Sequence, residues 1–368
     1  MLIDSETGQL KAVASDVVNR CRQRHEAEAG SRSTHWSTPE VKHEFFLEQI
    51  ELATPPCHTM QELRGQLRLG RRIAGETAAE FDADAVAMPV PVLPISGGTV
   101  SPGPRYEHIR RTYGEIADQS LMGALHVHVQ VTSDEEGVGV IDRLRPWLPV
   151  LLAVSANSPY FRGIETGYDS WRSRIWEMWP TSGPPESFED AATYHAVTGE
   201  LIEWGASQDR ALVNFGARLS ATYPTVEVRV SDVCTDTADT LLVAALVRAL
   251  VETAADEWRS GAPVECWRSE ELRAASWQAA RYGVSGRLVH PLERKLGAAR
   301  DVFASMRHYL AGALAASGDT GLVASGLDRL AQNGNGAVWQ RRVFELSGDL
   351  TAVIQDLRRR TRSIDPVR

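Results

Sequence analysis

The chain has 368 residues, enough for one large domain or two ordinary ones, with the 43% hydrophobic and 24% charged content of a soluble globular protein. A formal net charge of −9 argues against sequence-independent nucleic-acid binding. The four cysteines, Cys21, Cys57, Cys234 and Cys266, lack paired Cys-x-x-Cys spacing, which argues against a zinc ribbon or a disulfide framework.

Residues 1–20 read as a strand end and a turn at Glu6-Thr7-Gly8, and residues 22–38 as a polar loop. The opening Met1-Leu2-Ile3-Asp4-Ser5-Glu6 has neither the basic start nor the apolar core of a secretion signal. With reduced thiols, this predicts a cytoplasmic protein. Phe45 to Ala53 is apolar with embedded carboxylates and stops at Pro55-Pro56. Met60 to Asp82 has a helical stripe of Leu63, Leu67 and Ile73-Ala74. Met88 to Pro104 is a Pro- and Gly-rich loop around at most one short strand. A strand over His126 to Thr132 precedes a helical stretch, Gly137 to Ala156. Tyr160 to Trp179 is aromatic and arginine-rich, and Trp179-Pro180-Thr181-Ser182-Gly183-Pro184-Pro185 cannot be regular. A second strand spans Thr222 to Val233. Asp236 and Thr237 can cap a helix running to about Trp258, whose apolar part, Leu241 to Val251, is too short to span a bilayer. Beyond Glu270 the pattern is almost wholly helical. Arg358-Arg359-Arg360-Thr361-Arg362 suits a helix end better than a polyanion site. Strands early and helices late predict an α+β fold, read as a single domain over 1–368.

Chemistry concentrates in a few places. The chain has no G-x-x-x-x-G-K-[ST], G-x-G-x-x-G, G-x-S-x-G or H-E-x-x-H motif. The runs His126-Val127-His128-Val129-Gln130-Val131 and Val226-Glu227-Val228-Arg229-Val230-Ser231 alternate strictly. Each gives a strand with one valine face and one polar face. The polar faces hold imidazole, carboxylate and guanidinium, the groups that a metal–phosphate site needs. Two unrelated half-exposed strands explain the same pattern. Glu44, Glu48 and Glu51 offer oxygen ligands for a hard cation such as Mg²⁺, or form the charged stripe of a helix. On one regular strand Glu44 and Glu51 face opposite ways, so sharing a cation requires a bend. Arg162, Arg172 and Arg174 can pair with substrate carboxylates, against the alternative of surface salt bridges. Tyr168, Trp171 and Trp176 read as packing, Cys57 as a buried structural thiol, and His43 and His195 as ordinary polar histidines.

Taken together, these segments resemble the carboxylate–amine ligases of the glutamate–cysteine ligase type 2 family, related in fold to glutamine synthetase. The matching stretches are Glu44 to Cys57, Ala124 to Val129, Ser158 to Tyr168, Ser170 to Trp176, Trp179 to Pro185, Thr225 to Val233, Ala279 to Gly283 and Trp339 to Phe344. The resemblance implies a curved, mainly antiparallel sheet with the active site on its concave face, helices on the other side, and a helical C-terminal third. It implies ATP and Mg²⁺ or Mn²⁺, with Glu44, Glu51, His126 and Glu227 as metal ligands. Arg229 would meet the γ-phosphate as the catalytic cation, and His128 would lie near the nucleotide phosphates. The partners implied are an amino-acid carboxylate and an amine, in a chain compatible with a homo-oligomer. The chemistry agrees, because a carboxylate must be activated before it forms an amide, and phosphoryl transfer to it crowds anionic oxygens that cations must neutralise.

The family opens with a Glu-Glu-Glu-Phe-like strand just before an Asp-x-x-Thr-Gly turn. Here that turn is Asp4-Ser5-Glu6-Thr7-Gly8, and Met1 stands about where the acidic run ends. Either the start lies upstream, or part of the metal site is missing and the protein is weak or inactive. Two rival readings are a nucleotide-binding pseudoenzyme or interaction protein, and a metal-dependent amide hydrolase.

Overall fold

A computed structural model describes residues 1–29 and 38–363. Its strands are β1 (Leu2–Asp4), β2 (Glu40–His43), β3 (Ile50–Ala53), β4 (Ala83–Ala85), β5 (Ala124–Gln130), β6 (Tyr160–Phe161), β7 (Ile164–Glu165), β8 (Ala217–Leu219), β9 (Thr225–Asp232), β10 (Arg287–Val289) and β11 (Leu296–Ala298). All pairings between them are antiparallel, so the expected sheet is present in pieces. The largest has the order β5-β9-β8, beside the pairs β1-β4, β2-β3, β6-β7 and β10-β11. Helices make up most of the rest and dominate the C-terminal third, as an α+β fold requires.

The alternating valines explain the central sheet. Val226 and Val228 are 0% and 1% exposed and join the main core, with Val127 and Val129 packed beside them. The helix Thr237–Arg259 covers that face with Leu242, Val243, Leu246, Val247 and Leu250. Burying a side chain of this size contributes roughly 1.5–3 kcal/mol, so this layer holds the polar face of the sheet in place.

Several expectations need correction. The helix Ala14–Ala29 occupies most of the segment read as turn and loop; residues 30–37 lie outside the described residues. Ala14, Val17 and Cys21 give it a narrow buried stripe, which its many polar residues mask. The stretch 137–156 is two helices, Asp134–Leu144 and Leu148–Ser155, joined by a 3-10 turn through Pro146. The first starts early because Ser133 accepts from the Glu136 amide at 3.1 Å. The late helical region is interrupted by the β10-β11 hairpin. Asp236 precedes the long helix but makes no capping bond, because its carboxylate is taken by Arg360. Cys57 is half-buried, and its Sγ donates to Pro55 O at 3.3 Å.

The Asp4–Gly8 segment is the expected turn, with Asp4 Oδ2 also accepting from Lys11 Nζ at 3.2 Å. Asp4 Oδ1 accepts from the Thr7 amide at 2.9 Å and from Thr7 Oγ1 at 3.0 Å, and Gly8 follows at φ +71. The C-terminal basic cluster is consumed internally. Arg358 and Arg362 both engage the buried Asp84 of β4, Arg360 engages Asp236, and Arg359 engages Asp356. Among the described residues, no helix is long and apolar enough to cross a membrane.

Candidate active site

Two hairpin elements bring the predicted carboxylates together. Glu44 and Glu51 do not share a strand or a helix. Glu44 follows β2, and Glu51 lies in β3 opposite Lys42. A six-residue reversal between them removes the strand-parity difficulty and brings the two charges into mutual range. Glu48 turns away; it is buried and accepts from the Thr99 amide at 3.0 Å.

On the central sheet, His128 stands opposite Glu227. The register then slips: Val127 pairs with Val228 and Leu125 with Ser231, so Arg229 and Val230 together face His126. This β-bulge aims Arg229 at the imidazole and bends the strand. It also changes the polar face. Ser231 falls opposite Leu125 and is 1% exposed, so it does not continue the Glu227–Arg229 face as strict alternation predicted.

Glu227 is the meeting point. Its Oε1 lies 3.5 Å from His126 Nδ1 and 3.9 Å from His128 Nε2, and accepts from Arg229 Nη1. Its Oε2 accepts from Arg218 Nε at 2.9 Å. Arg218, on β8, is held in turn by the carbonyls of Ala211 and Val213. Burial drives the Glu227 carboxyl up, yet Arg229, Arg218 and the two imidazoles outweigh it and hold it at about 2. Burial, aided by Arg229, holds His126 well below the usual imidazole range. Its ring is neutral at pH 7 and can accept or ligate. His128 is shifted down for the same first reason, and its Nδ1 meets Thr225 Oγ1 at 2.9 Å. Burial and then Glu51 raise Glu44 to about 7. Glu51 is raised by burial, with Lys42 and Arg229 opposing.

Sequence reasoning passed over Arg218 and Tyr106. Arg218 has a signal, an arginine between apolar neighbours in Val213-Asn214-Phe215-Gly216-Ala217-Arg218-Leu219. Tyr106, on the helix Pro104–Tyr113, packs edge-on to Phe45 at 5.9 Å, and its hydroxyl is raised by burial and by Glu44. No local pattern marks it.

The three candidate substrate arginines part ways. Arg172 is 1% exposed, with Nε 2.6 Å from Asp232 Oδ1 and Nη2 2.5 Å from Val230 O, so its fork has no face for a small molecule. Arg174 is tied to Glu177 and Ser173. Arg162 is half-buried on the β6-β7 turn, its guanidinium 4.9 Å from the centre of the Phe161 ring.

The remaining signature segments form one buried scaffold. Asp232 is fully buried and receives four bonds, from the Asn157 amide, Ser158 Oγ, Ser170 Oγ and Arg172 Nε. Asp169 receives Arg341 Nη1 and Asn335 Nδ2, while the amides of Asp169 and Ser170 both donate to Ala280 O. Gln340 reaches Asn157, and Trp339 donates to Asp356 at 3.0 Å. These residue types hold the end of β9 in place.

The donor set suits a divalent cation in kind. Carboxylate oxygens and a neutral imidazole fit Mg²⁺ or Mn²⁺, and burial, which raises Glu44 and Glu51, makes their charged forms costly without a cation. Arg229 stands against one of these donors. Among the described residues, no three His, Cys, Asp or Glu side chains stand together at metal-binding spacing.

Comparison with known proteins gives this geometry its context. The profile of glutamate–cysteine ligase family 2 matches residues 5–357. A Nocardioides sp. protein, provisionally named glutamate–cysteine ligase 2-1, is 44% identical over 365 residues, 98% of this chain and 94% of its own. A Streptomyces coelicolor protein, provisionally named glutamate–cysteine ligase 2, is 38% identical over 364 residues, 99% and 97% of the two chains. Among solved structures, glutamate–cysteine ligase of Francisella tularensis in complex with AMP superposes with a TM-score of 0.62, covering 89% of this chain and 83% of that one at 11% identity. The Pup ligase PafA in complex with ADP gives 0.51, covering 95% and 74% at 13% identity. With nearly the whole chain matched, and carboxylate, imidazoles and arginines gathered on an antiparallel sheet, the protein belongs to glutamate–cysteine ligase family 2 and is an enzyme of the carboxylate–amine ligase class.

Proposed function

We propose that this enzyme uses ATP to join an amino-acid carboxylate to an amine, with the γ-carboxylate of glutamate and the amino group of cysteine as the pair. The family match over 5–357 supports the reaction class. The observation that carries the site is the convergence of Arg229, Arg218, His126 and His128 on Glu227. In this reading Glu44, Glu51, His126 and Glu227 hold Mg²⁺ or Mn²⁺. A bound divalent ion supplies charge neutralisation for the phosphates and the carboxylate they approach.

The residues divide the remaining work. Arg229 offers its guanidinium to the γ-phosphate, where negative charge grows as phosphoryl passes to the substrate carboxylate. Arg218 stays on Glu227, so the carboxylate remains ionised and neutralised when Arg229 turns to phosphate. His128 lies toward the nucleotide phosphates, steadied by Thr225. The amine then attacks the acyl phosphate, the C–N bond forms, and phosphate departs with the oxygen it took from the carboxylate. The four free thiols support a cytoplasmic setting.

The test is a phosphate-release assay with ATP, Mg²⁺, glutamate and cysteine, with mass spectrometry of the product. Phosphate release should require the amino acid and match the γ-glutamyl amide formed. Turnover without ATP would indicate a hydrolase, and ATP binding without product would indicate a nucleotide-binding protein that does no ligation. Titration with Mn²⁺ tests the ligand assignment: Glu227→Gln and Glu44→Gln should each bind it at least tenfold more weakly.

A further inference from the structure

The bulge that aims Arg229 is held by contacts outside its own strand pair. Arg229 and Val230 share one place opposite His126, so Val230 has no partner of its own in the ladder between β5 and β9. An extra residue of this kind leaves backbone groups to be satisfied elsewhere. The Val230 carbonyl accepts from Arg172 Nη2 at 2.5 Å. On the β8 side the Arg229 amide donates to Gly216 O at 2.9 Å. A Cβ on Gly216 would lie 2.9 Å from Val230 Cγ1, so the bulge meets β8 where only glycine leaves room.

Arg172 joins the Val230 carbonyl to a second fixed point. Its Nε donates to Asp232 Oδ1 at 2.6 Å, and Ser158, Ser170 and the Asn157 amide supply the other bonds to that carboxylate. The register beyond the bulge depends on these bonds. If β9 kept the pairing it has from Thr225 to Val228, each later residue would shift by one place along β5. Ser231 and Asp232 would then each move to the opposite face of the sheet, and Asp232 would leave its four donors. On the near side of the bulge Arg218 holds Glu227 at 2.9 Å. The bulge therefore lies between two anchored ends, and Arg172 touches both the far anchor and the bulge itself.

We propose that Arg172 is a positioning residue for Arg229: by tying Val230 O to Asp232 it locks the bulge that turns the Arg229 guanidinium toward His126 and the γ-phosphate. The inference deepens the ligase reading and rests on it for the role of Arg229.

The test uses the whole protein and Arg172→Lys, which keeps a charge for Asp232 and loses the fork that reaches both partners. Calorimetry with Mg²⁺ should show a β,γ-imido analogue of ATP bound at least about tenfold more weakly than by the wild type, with ADP affinity unchanged. In an Arg229→Ala background the same substitution should cost no further analogue binding, because the group it positions is gone. Arg172→Gln, which keeps a single donor end, should show the same selective loss. A crystal structure of Arg172→Lys decides the geometry without nucleotide: the Arg229 guanidinium should have left Glu227 Oε1. The inference is overturned by an Arg229 still in place, or by analogue binding equal to the wild type. It is also overturned by a loss of the same size with Arg229 present and absent. A lower unfolding midpoint with both affinities unchanged would leave Arg172 as scaffold alone. Failure of the ligase reading looks different: the displaced Arg229 and the selective loss would stand, with no ATP-dependent phosphate release in the wild type.

Discussion

Glu44 and Glu227 both lie within the field of Arg229, and their surroundings push them in opposite directions. Glu44, raised from 4.5 to about 7, keeps a proton in the folded state that the unfolded chain has already released. Its contribution to stability therefore falls as pH rises from 4.5 to 7. Glu44→Gln should gain thermal stability over the wild type at pH 8 and little at pH 4. Glu227, lowered from 4.5 to about 2, works the other way. Its stabilisation is present above 4.5 and is lost as pH falls toward 2. Glu227→Gln should accordingly be less stable than the wild type at pH 7, and the gap should close in acid. Melting curves of both variants across pH check the two signs together. Arg229 differs again, because Arg218 remains on Glu227 when Arg229 is removed. Arg229→Ala should fold and melt close to the wild type but lose a hundredfold or more in single-turnover phosphate release. Arg229→Lys keeps the charge, loses the fork, and should rescue only part of that loss. A fall in melting temperature with activity per folded molecule unchanged would make Arg229 a structural residue.

At the level of elements, β5 and β9 are legible because valine alternation is a local signal, and the shorter strands, which lack it, are not. Nor was the bulge in β9. A register slip depends on both strands, and it removed Ser231 from the polar face while turning Arg229 toward His126. The role of Arg172 was hidden for a similar reason, since its partner Asp232 lies 60 residues away. Breaking this pair leaves a buried charge, so Asp232→Ala should cost about 3–5 kcal/mol in urea unfolding. Gly283 makes the same point from the backbone side. At φ +51, a Cβ there would lie 1.9 Å from Asp169 Oδ2, so Gly283→Ala should destabilise by at least about 1 kcal/mol. If either variant unfolds at the wild-type urea concentration, the buried scaffold does not carry the load assigned to it.

Over the whole molecule, composition and order gave the α+β class, and the resemblance supplied the family. The elements least visible in advance were those stabilised from afar. The helix Ala14–Ala29 buries a narrow stripe against Leu2, Ala78 and Ala83. The final helix, Leu350–Arg362, is pinned by Asp84 and Asp236 from two other parts of the chain. The site itself was half legible. His126, His128, Glu227 and Arg229 follow from strand pattern, Arg218 and Tyr106 do not, and the hairpin that unites Glu44 with Glu51 needed the structure. In the proposed reaction phosphoryl passes from ATP to a substrate carboxylate and later leaves with one of its oxygens. Glutamate labelled with ¹⁸O in its γ-carboxylate, incubated with ATP, Mg²⁺ and cysteine, reports this step through mass analysis of the released phosphate. One ¹⁸O per phosphate, in step with the amide formed, is the result expected. Unlabelled phosphate, or amide formed without phosphate release, would contradict it.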